Sequence, residues 1–382
     1  MKRIKAFFTS ESAGGVLLIL CTAVSLLLAN GTGGEAYVQT WHRNIGGHEL
    51  GHWINDLLMA IFFLLVGLEL KREIYVGELS NKKSASLPAM AAIGGMLIPA
   101  TIYLAFNAGT PTQHGFGIPM ATDIAFALGV LSLLGKKVPT SMKIFLTALA
   151  VIDDLGAILV IAFFYSSDLS FFHLASALGI FAFLLVLNRL KIHNAFPYLL
   201  AGGVMWYFMQ KSGVHATITG VLVAFAIPLN EKEDSFTSTR LGHLLHVPVT
   251  YFILPLFALA NTAIILNASI ETVVAERYSL GIVFGLIFGK PLGIFLLSWL
   301  SVKLGLSQLS PGLSWNRVIG LGFLGGIGFT MSIFMALLSF DDHSVTDNAK
   351  LMILLASLVA GLIGYLYLKR RLPPPHKAKQ ST

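Results

Sequence analysis

Two adjacent aspartates, Asp153 and Asp154, stand inside the apolar run Ile144 to Phe164, and a lysine, Lys290, stands inside another apolar run. A carboxylate in the hydrocarbon of a membrane costs roughly 2.5 to 3.5 kcal/mol on insertion scales, so such groups are paired or line a wet path. Neighbours on a helix point about 100° apart. One aspartate can therefore hold an ion while the other pairs with Lys290, which stays charged only where a carboxylate or water offsets its desolvation. A hard monovalent cation such as Na⁺ takes oxygen ligands, and the same carboxylate oxygens take protons. Na⁺ on Asp153 and Asp154 and H⁺ on those oxygens then exclude one another, which is the physical basis of exchange. A plain interhelical salt bridge accounts for one of these aspartates. It does not account for the pair together with Asp123. Asp56 and Glu69 also fall in apolar surroundings, with Glu73 near the end of the same run.

Asp123 sits in Gly117-Ile118-Pro119-Met120-Ala121-Thr122-Asp123. Pro119 removes a backbone donor near midspan, and a break there frees groups that need other partners. A matching irregularity is Gly325-Gly326-Ile327-Gly328-Phe329-Thr330, where Gly326 and Gly328 let the chain unwind. Broken helices whose half-ends point charge at a central site recur in transporters. Asp123 would offset the positive half-helix ends, with Thr122 adding a hydroxyl. Thr122-Asp123-Ile124-Ala125-Phe126 also lines up with Thr330-Met331-Ser332-Ile333-Phe334, so Asp123 corresponds to Met331.

Twelve apolar runs position these residues. They cover 12–30, 53–76, 85–106, 115–134, 141–166, 172–190, 196–209, 214–229, 244–266, 278–302, 317–340 and 349–368. The seventh and eighth are short for a core of about 30 Å. The fourth enters the membrane from the opposite side to the eleventh, so spans three to five (85–166) and ten to twelve (278–368) read as inverted repeats, with broken helices at spans four and eleven. The expected fold class is an all-α polytopic membrane protein, one transporter domain over 1–382, with the other helices as scaffold. Of 26 Lys and Arg, only Arg43, Lys211, Arg277 and Lys350 fall in one set of alternate loops, and Lys290 in neither set. By the positive-inside rule both termini are cytoplasmic. The basic end Met1 to Glu11, amphipathic around Phe7 and Phe8, reads as a retained end before a true span.

Composition agrees. Of 382 residues, 55% are hydrophobic and 12% charged, against about 25% charged in soluble domains. Mean hydropathy is +0.76. The net charge of +7 follows from topology, since no basic patch with interleaved aromatics indicates nucleic acid. One cysteine, Cys21, excludes a disulfide framework and a thiolate cluster. His42, His48 and His52 are too loosely spaced to read as a metal site.

The stretches FFLLVGLE (62–69), ATDIAFALG (121–129), AVIDDLGA (150–157), KSGVHAT (211–217), GKPLG (289–293) and GIGFTMSIF (326–334) closely resemble the bacterial NhaA sodium/proton antiporters. The similarity runs from Phe7 to about Arg370. The resemblance implies twelve helices with the fourth and eleventh broken and crossed, in a bacterial inner membrane. It implies Asp154 as principal cation site, Asp153 paired with Lys290, and Asp123 at the crossing. Na⁺ and Li⁺ would leave in exchange for two H⁺ each, without a cofactor, with activity rising at alkaline pH. Glu69, Arg72 and Glu73 would belong to a cytoplasmic funnel concerned with pH response, and His215 to the same dependence; His243 and His246 are further candidates for the pH response. The chain departs from relatives at Gly242, where they carry a glutamate. It departs again in the first outside loop, Gly31 to His52, which is short and shows no alternating pair of strands. Expected partners are Na⁺, H⁺, membrane lipids and a second copy of the chain, with no nucleic acid.

Two other functions compete. An intramembrane aspartyl protease needs two embedded aspartates, but its glycine-flanked motif is missing and Lys290 has no role in it. A sodium-coupled solute symporter of the same broken-helix architecture needs a solute cavity with further polar donors, and the sequence offers none.

Overall fold

A computed structural model of the chain describes residues 11–166, 169–229, 237–266 and 270–372. Of the basic residues, Lys2, Arg3, Lys5, Lys232, Lys377 and Lys379 lie outside the described residues, as does all but the last residue of the basic end Met1 to Glu11. In hydrocarbon every backbone N–H and C=O needs a partner within its own segment, so the apolar runs form helices. These are Glu11–Ala29 (α1), Gly34–Trp41 (α2), Leu50–Tyr75 (α3), Lys82–Asn107 (α4), Ile124–Ser132 (α5), Thr140–Phe164 (α6), Phe171–Arg189 (α7), Ala195–Lys211 (α8) and Ile218–Ala226 (α9). Thr237–Asn261 (α10), Ile270–Ala275 (α11), Arg277–Lys303 (α12), Trp315–Gly325 (α13), Phe329–Ser339 (α14) and His343–Arg371 (α15) complete the series.

Among the described residues, seven helices are long and apolar enough to cross a membrane. Two bent pairs raise the number to nine if each pair is one span. One pair is the 3-10 segment Pro111–Met120 with α5, bent by 41°, and the other is α13 with α14, bent by 49°. The expected seventh and eighth spans are the 17-residue α8 and the nine-residue α9, about 26 and 14 Å long at 1.5 Å per residue.

Two expectations change. The first bend does not fall at Pro119, which lies within the 3-10 segment; the unwound residues are Ala121, Thr122 and Asp123. The loop Gly31 to His52 contains both a short helix, α2, and a small hairpin. Asn44–Ile45 (β1) pairs antiparallel with His48–Glu49 (β2), Asn44 opposite Glu49 and Ile45 opposite His48. Gly46 and Gly47 turn it at φ +64 and +94, the left-handed pair that a two-residue hairpin requires. Four strand residues are too few to show an alternating pattern.

Packing follows small residues, as expected where lipid removes the hydrophobic drive between helices. A Cβ on Gly94 would lie 2.1 Å from the Gly293 carbonyl oxygen, and one on Gly293 would lie 2.0 Å from that of Gly94. Hydrogen at both positions thus lets α4 and α12 cross backbone to backbone. Likewise a Cβ on Gly220 would lie 2.1 Å from the Ala60 carbonyl, bringing α9 onto α3. One buried cluster surrounds the two bends and includes Ile118, Ala121, Phe329 and Phe334. A second joins α7, α8 and α9 to α3 through Leu64, Leu184, Tyr198, Met205 and Ala224.

Candidate cation and proton site

The two bends meet. Each unwound stretch leaves backbone groups without helical partners, and the opposite bend supplies many of them. Asp123 N donates to Ile327 O at 2.7 Å, and the Thr122 hydroxyl reaches Gly325 O at 2.8 Å. The Ser332 hydroxyl donates to Ile118 O at 2.7 Å, and Lys290 Nζ donates to Met120 O.

Asp123 closes the crossing. As N-cap of α5 it accepts from Phe126 N through Oδ1 at 2.9 Å. Through Oδ2 it accepts from Thr330 N at 3.2 Å and from the Thr330 hydroxyl at 2.5 Å. One carboxylate thus caps the N-termini of α5 and α14 together, where two positive helix ends converge. Two more donors at this end of α14 go to α15: Gly328 N and Phe329 N donate to Ser357 Oγ at 3.2 and 3.1 Å. Gly326 and Gly328 have φ of −72 and −88, so they are not needed for a left-handed backbone. They are needed for space, since a Cβ would lie 2.3 Å from Leu286 O at the first and 2.0 Å from Ser332 Oγ at the second.

Asp153 and Asp154 lie midway along α6, which packs on both α4 and α5. Lys290 Nζ sits 2.7 Å from Asp153 Oδ2, with neither side chain exposed. The Thr122 hydroxyl lies 2.7 Å from the same oxygen, and its single proton serves either this carboxylate or Gly325 O. Lys290 follows a π-helical turn, Gly285–Gly289, a local widening common at functional sites. The turn packs on Pro119 and Pro99, where a Cβ on Gly285 would lie 2.6 Å from Pro119 Cβ and one on Gly289 3.1 Å from Pro99 Cα.

Asp153 Oδ1 and Asp154 Oδ1 are buried without a hydrogen-bond partner. Unsatisfied buried carboxylate oxygens are costly, and their presence on adjacent residues is the most telling feature of the centre. Asp153, Asp123, Glu69 and Lys290 all act on Asp154 electrostatically. The chain therefore presents oxygens from Asp153, Asp154 and Thr122 beside a buried ammonium. Such a donor set suits a small hard cation or protons.

The residues expected to respond to pH do not form one group. Glu69 keeps accessible surface although Leu68 and Leu70 beside it are buried, and it interacts electrostatically with Arg72 and Glu73. Lys71 turns the other way and donates to Phe225 O and Ile227 O at 2.7 and 2.5 Å, closing the C-terminus of the short α9. His243 and His246 are exposed on the first turns of α10, which packs on α3. His215 is elsewhere. It interacts with Asp56 and His52, and its ring packs 5.7 Å from that of Phe334. Asp56 is 13 residues from Glu69 on α3, about 20 Å along the axis. His52 Nε2 lies 3.3 Å from Asp56 Oδ2 and 3.0 Å from Gln210 Nε2.

Sequence reasoning overlooked Ser357 and Gly94, and noted Gly293 only within the stretch GKPLG. A single serine in the apolar run of α15 carries no signal of its own, because its role depends on what crosses beside it. Thr330 was within reach, since it aligns with Thr122 in the repeated pentapeptide.

The family model described as Na+/H+ antiporter 1 matches residues 5–368. A protein of Flavobacterium psychrophilum named Na(+)/H(+) antiporter NhaA is 61% identical over 365 residues, covering 96% of this chain and 95% of that one. Proteins of the same name from Cytophaga hutchinsonii and Helicobacter pylori are 56% and 45% identical. These alignments cover 97% and 96% of this chain, and 96% and 94% of the respective relatives. The chain belongs to the NhaA family of bacterial sodium/proton antiporters.

Proposed function

We propose that the chain exports Na⁺ and Li⁺ across the bacterial inner membrane in exchange for H⁺, with Asp153 and Asp154 as the shared seat of cation and proton. The carrying observation is the pair of buried, unpartnered Oδ1 atoms on these neighbours, beside the Lys290–Asp153 pair. Antiport is the function of the family, and no feature favours a solute symporter. Asp154 serves as principal cation ligand. When the ion recruits Asp153 as well, Lys290 loses its carboxylate partner and releases its proton; when the ion leaves, Lys290 is reprotonated and the pair reforms. A second proton neutralises Asp154. Two protons then enter for each cation exported, one net positive charge moves inward, and the membrane potential drives the cycle together with the pH difference.

The inferred architecture is twelve spans, counting α1, α8 and α9 with the nine segments that meet the length requirement. Residues 85–166 and 278–368 act as inverted repeats about the crossing, and both termini are cytoplasmic. Glu69, Arg72 and Glu73 then line the cytoplasmic entrance, whereas His215, His52 and Asp56 lie on the periplasmic side. The β1–β2 hairpin offers an edge through which two copies can associate.

Sodium- and lithium-induced proton flux in proteoliposomes, with K⁺ as control, tests the reading. Flux with Na⁺ and Li⁺ that disappears in Asp153→Asn and Asp154→Asn is expected. Unchanged flux in Asp154→Asn would sink the ligand role, and reversed electrical sign would sink the two-proton count.

A further inference from the structure

Away from the acids, a crevice of about 150 Å³ opens between α3, α8 and α9. Leu57, Ala60, Ile61 and Leu64 line it from α3. Their i, i+3, i+4, i+7 spacing puts them on one helical face. Glu69 points about 120° round the helix from Leu57, so the crevice and the acid cluster occupy different sides of α3. The walls are apolar apart from two groups. The Thr219 hydroxyl, on a residue only 3% exposed, and the Trp206 indole Nε1 are both buried without a hydrogen-bond partner. A buried donor left unpaired costs about 1–3 kcal/mol. Two such donors lining one apolar recess call for an acceptor carried on an apolar body.

Position identifies that body. Leu57 and Leu199, on the rim, are 37% and 40% exposed, and Gly203 borders open space. The recess therefore faces the bilayer. Trp206 lies five residues before the end of α8, about 7 Å along the axis, and its ring stacks with that of Trp53 at 6.3 Å. Tryptophan gathers at this depth because it is where hydrocarbon gives way to polar lipid groups. Among the described residues no charged side chain lines the recess, so a phosphate has no partner from them there, whereas an ester carbonyl has two.

We propose that this crevice binds one acyl chain of a membrane phospholipid, its ester carbonyl accepting from Trp206 Nε1 and the Thr219 hydroxyl. The chain follows α3 from Leu57 toward Leu64, a path of about 10 Å. The leaflet is the outer one in the topology given above; the site itself does not depend on that topology or on the antiport reading.

Native mass spectrometry of purified protein after delipidation tests the site in wild type, Gly203→Leu and the double variant Trp206→Phe/Thr219→Val. The leucine fills the crevice from a position where an added Cβ meets nothing within 4 Å. The double variant keeps the shape and removes both donors. The expected result is one tightly held phospholipid on wild type, reduced at least tenfold by Gly203→Leu and several-fold by the double variant, with proton–sodium exchange retained in both. Equal phospholipid retention in all three would overturn the proposal. So would retention of a free fatty acid instead, or of a second protein copy that Gly203→Leu releases. If the leucine variant fails to fold, quenching provides the test. Phosphatidylcholine brominated near the ester should quench wild-type emission more than that of Trp206→Phe, and equal quenching would refute the site.

Discussion

Replacing Asp123 separates its two tasks, acceptor and charge. In Asp123→Ala both Phe126 N and Thr330 N, now held at 2.9 and 3.2 Å, lose their acceptor inside the protein. At about 1–3 kcal/mol for each orphaned donor, the crossing weakens by about 2–6 kcal/mol. Loss of the charge facing two helix N-termini adds about 0.3–1 kcal/mol for each end. Asp123→Asn keeps an acceptor oxygen for Phe126 N but turns an NH₂ toward Thr330. The Thr330 hydroxyl can rotate to accept from it, so a single backbone donor is orphaned and the cost halves to about 1–3 kcal/mol before the charge is counted. Unfolding followed by intrinsic fluorescence in a fixed detergent should rank wild type above asparagine and asparagine above alanine. Sodium half-saturation in proteoliposomes should worsen in the same order, because the crossing holds Thr122 against Asp153. An alanine variant as stable as wild type, or an asparagine variant less stable than alanine, would refute the capping argument.

Other substitutions probe the remaining parts. Lys290→Met leaves Asp153 buried without its cation and should destabilise the protein by about 3–5 kcal/mol; adding Asp153→Asn should recover most of that in the same unfolding assay while exchange stays absent. Gly94→Ala drives a methyl onto the Gly293 carbonyl and should lower the melting temperature by several degrees, whereas Gly203→Ala, with open space around it, should leave it unchanged. Gly242 also has nothing within 4 Å of an added Cβ, so Gly242→Glu is accommodated; proton flux measured from pH 6 to 9 should gain a steeper alkaline rise if the missing acid limits the pH response.

Much of the centre was legible because charge in hydrocarbon is costly wherever it falls. Asp123, Asp153, Asp154 and Lys290 stand out against apolar neighbours without any knowledge of the fold, and the glycine and proline clusters mark both bends. The exact place of the first bend was not legible. Pro119 marks a lost donor, but the chain unwinds two residues later, where Asp123 finds Ile327 O and can cap two helices. Nor was the separation of His215 from Glu69 visible, since residues grouped by a common influence on pH need not be neighbours in space. The hairpin in the first loop escaped because Gly46 and Gly47 suit many turns, and two residues on each side give no periodicity.

Length, hydropathy and the distribution of Lys and Arg by themselves made this a membrane chain with a definite expected orientation, because insertion is a property of each segment taken alone. Which oxygen faces which donor was a matter for tertiary structure. Lys290 lies 137 residues from Asp153, and Thr330 lies 207 from Asp123. Such contacts exist only once Gly94 and Gly293 let α4 and α12 meet and the two bends cross. A carboxylate's presence is local, but its pairing is set by the backbones that bring a partner to it.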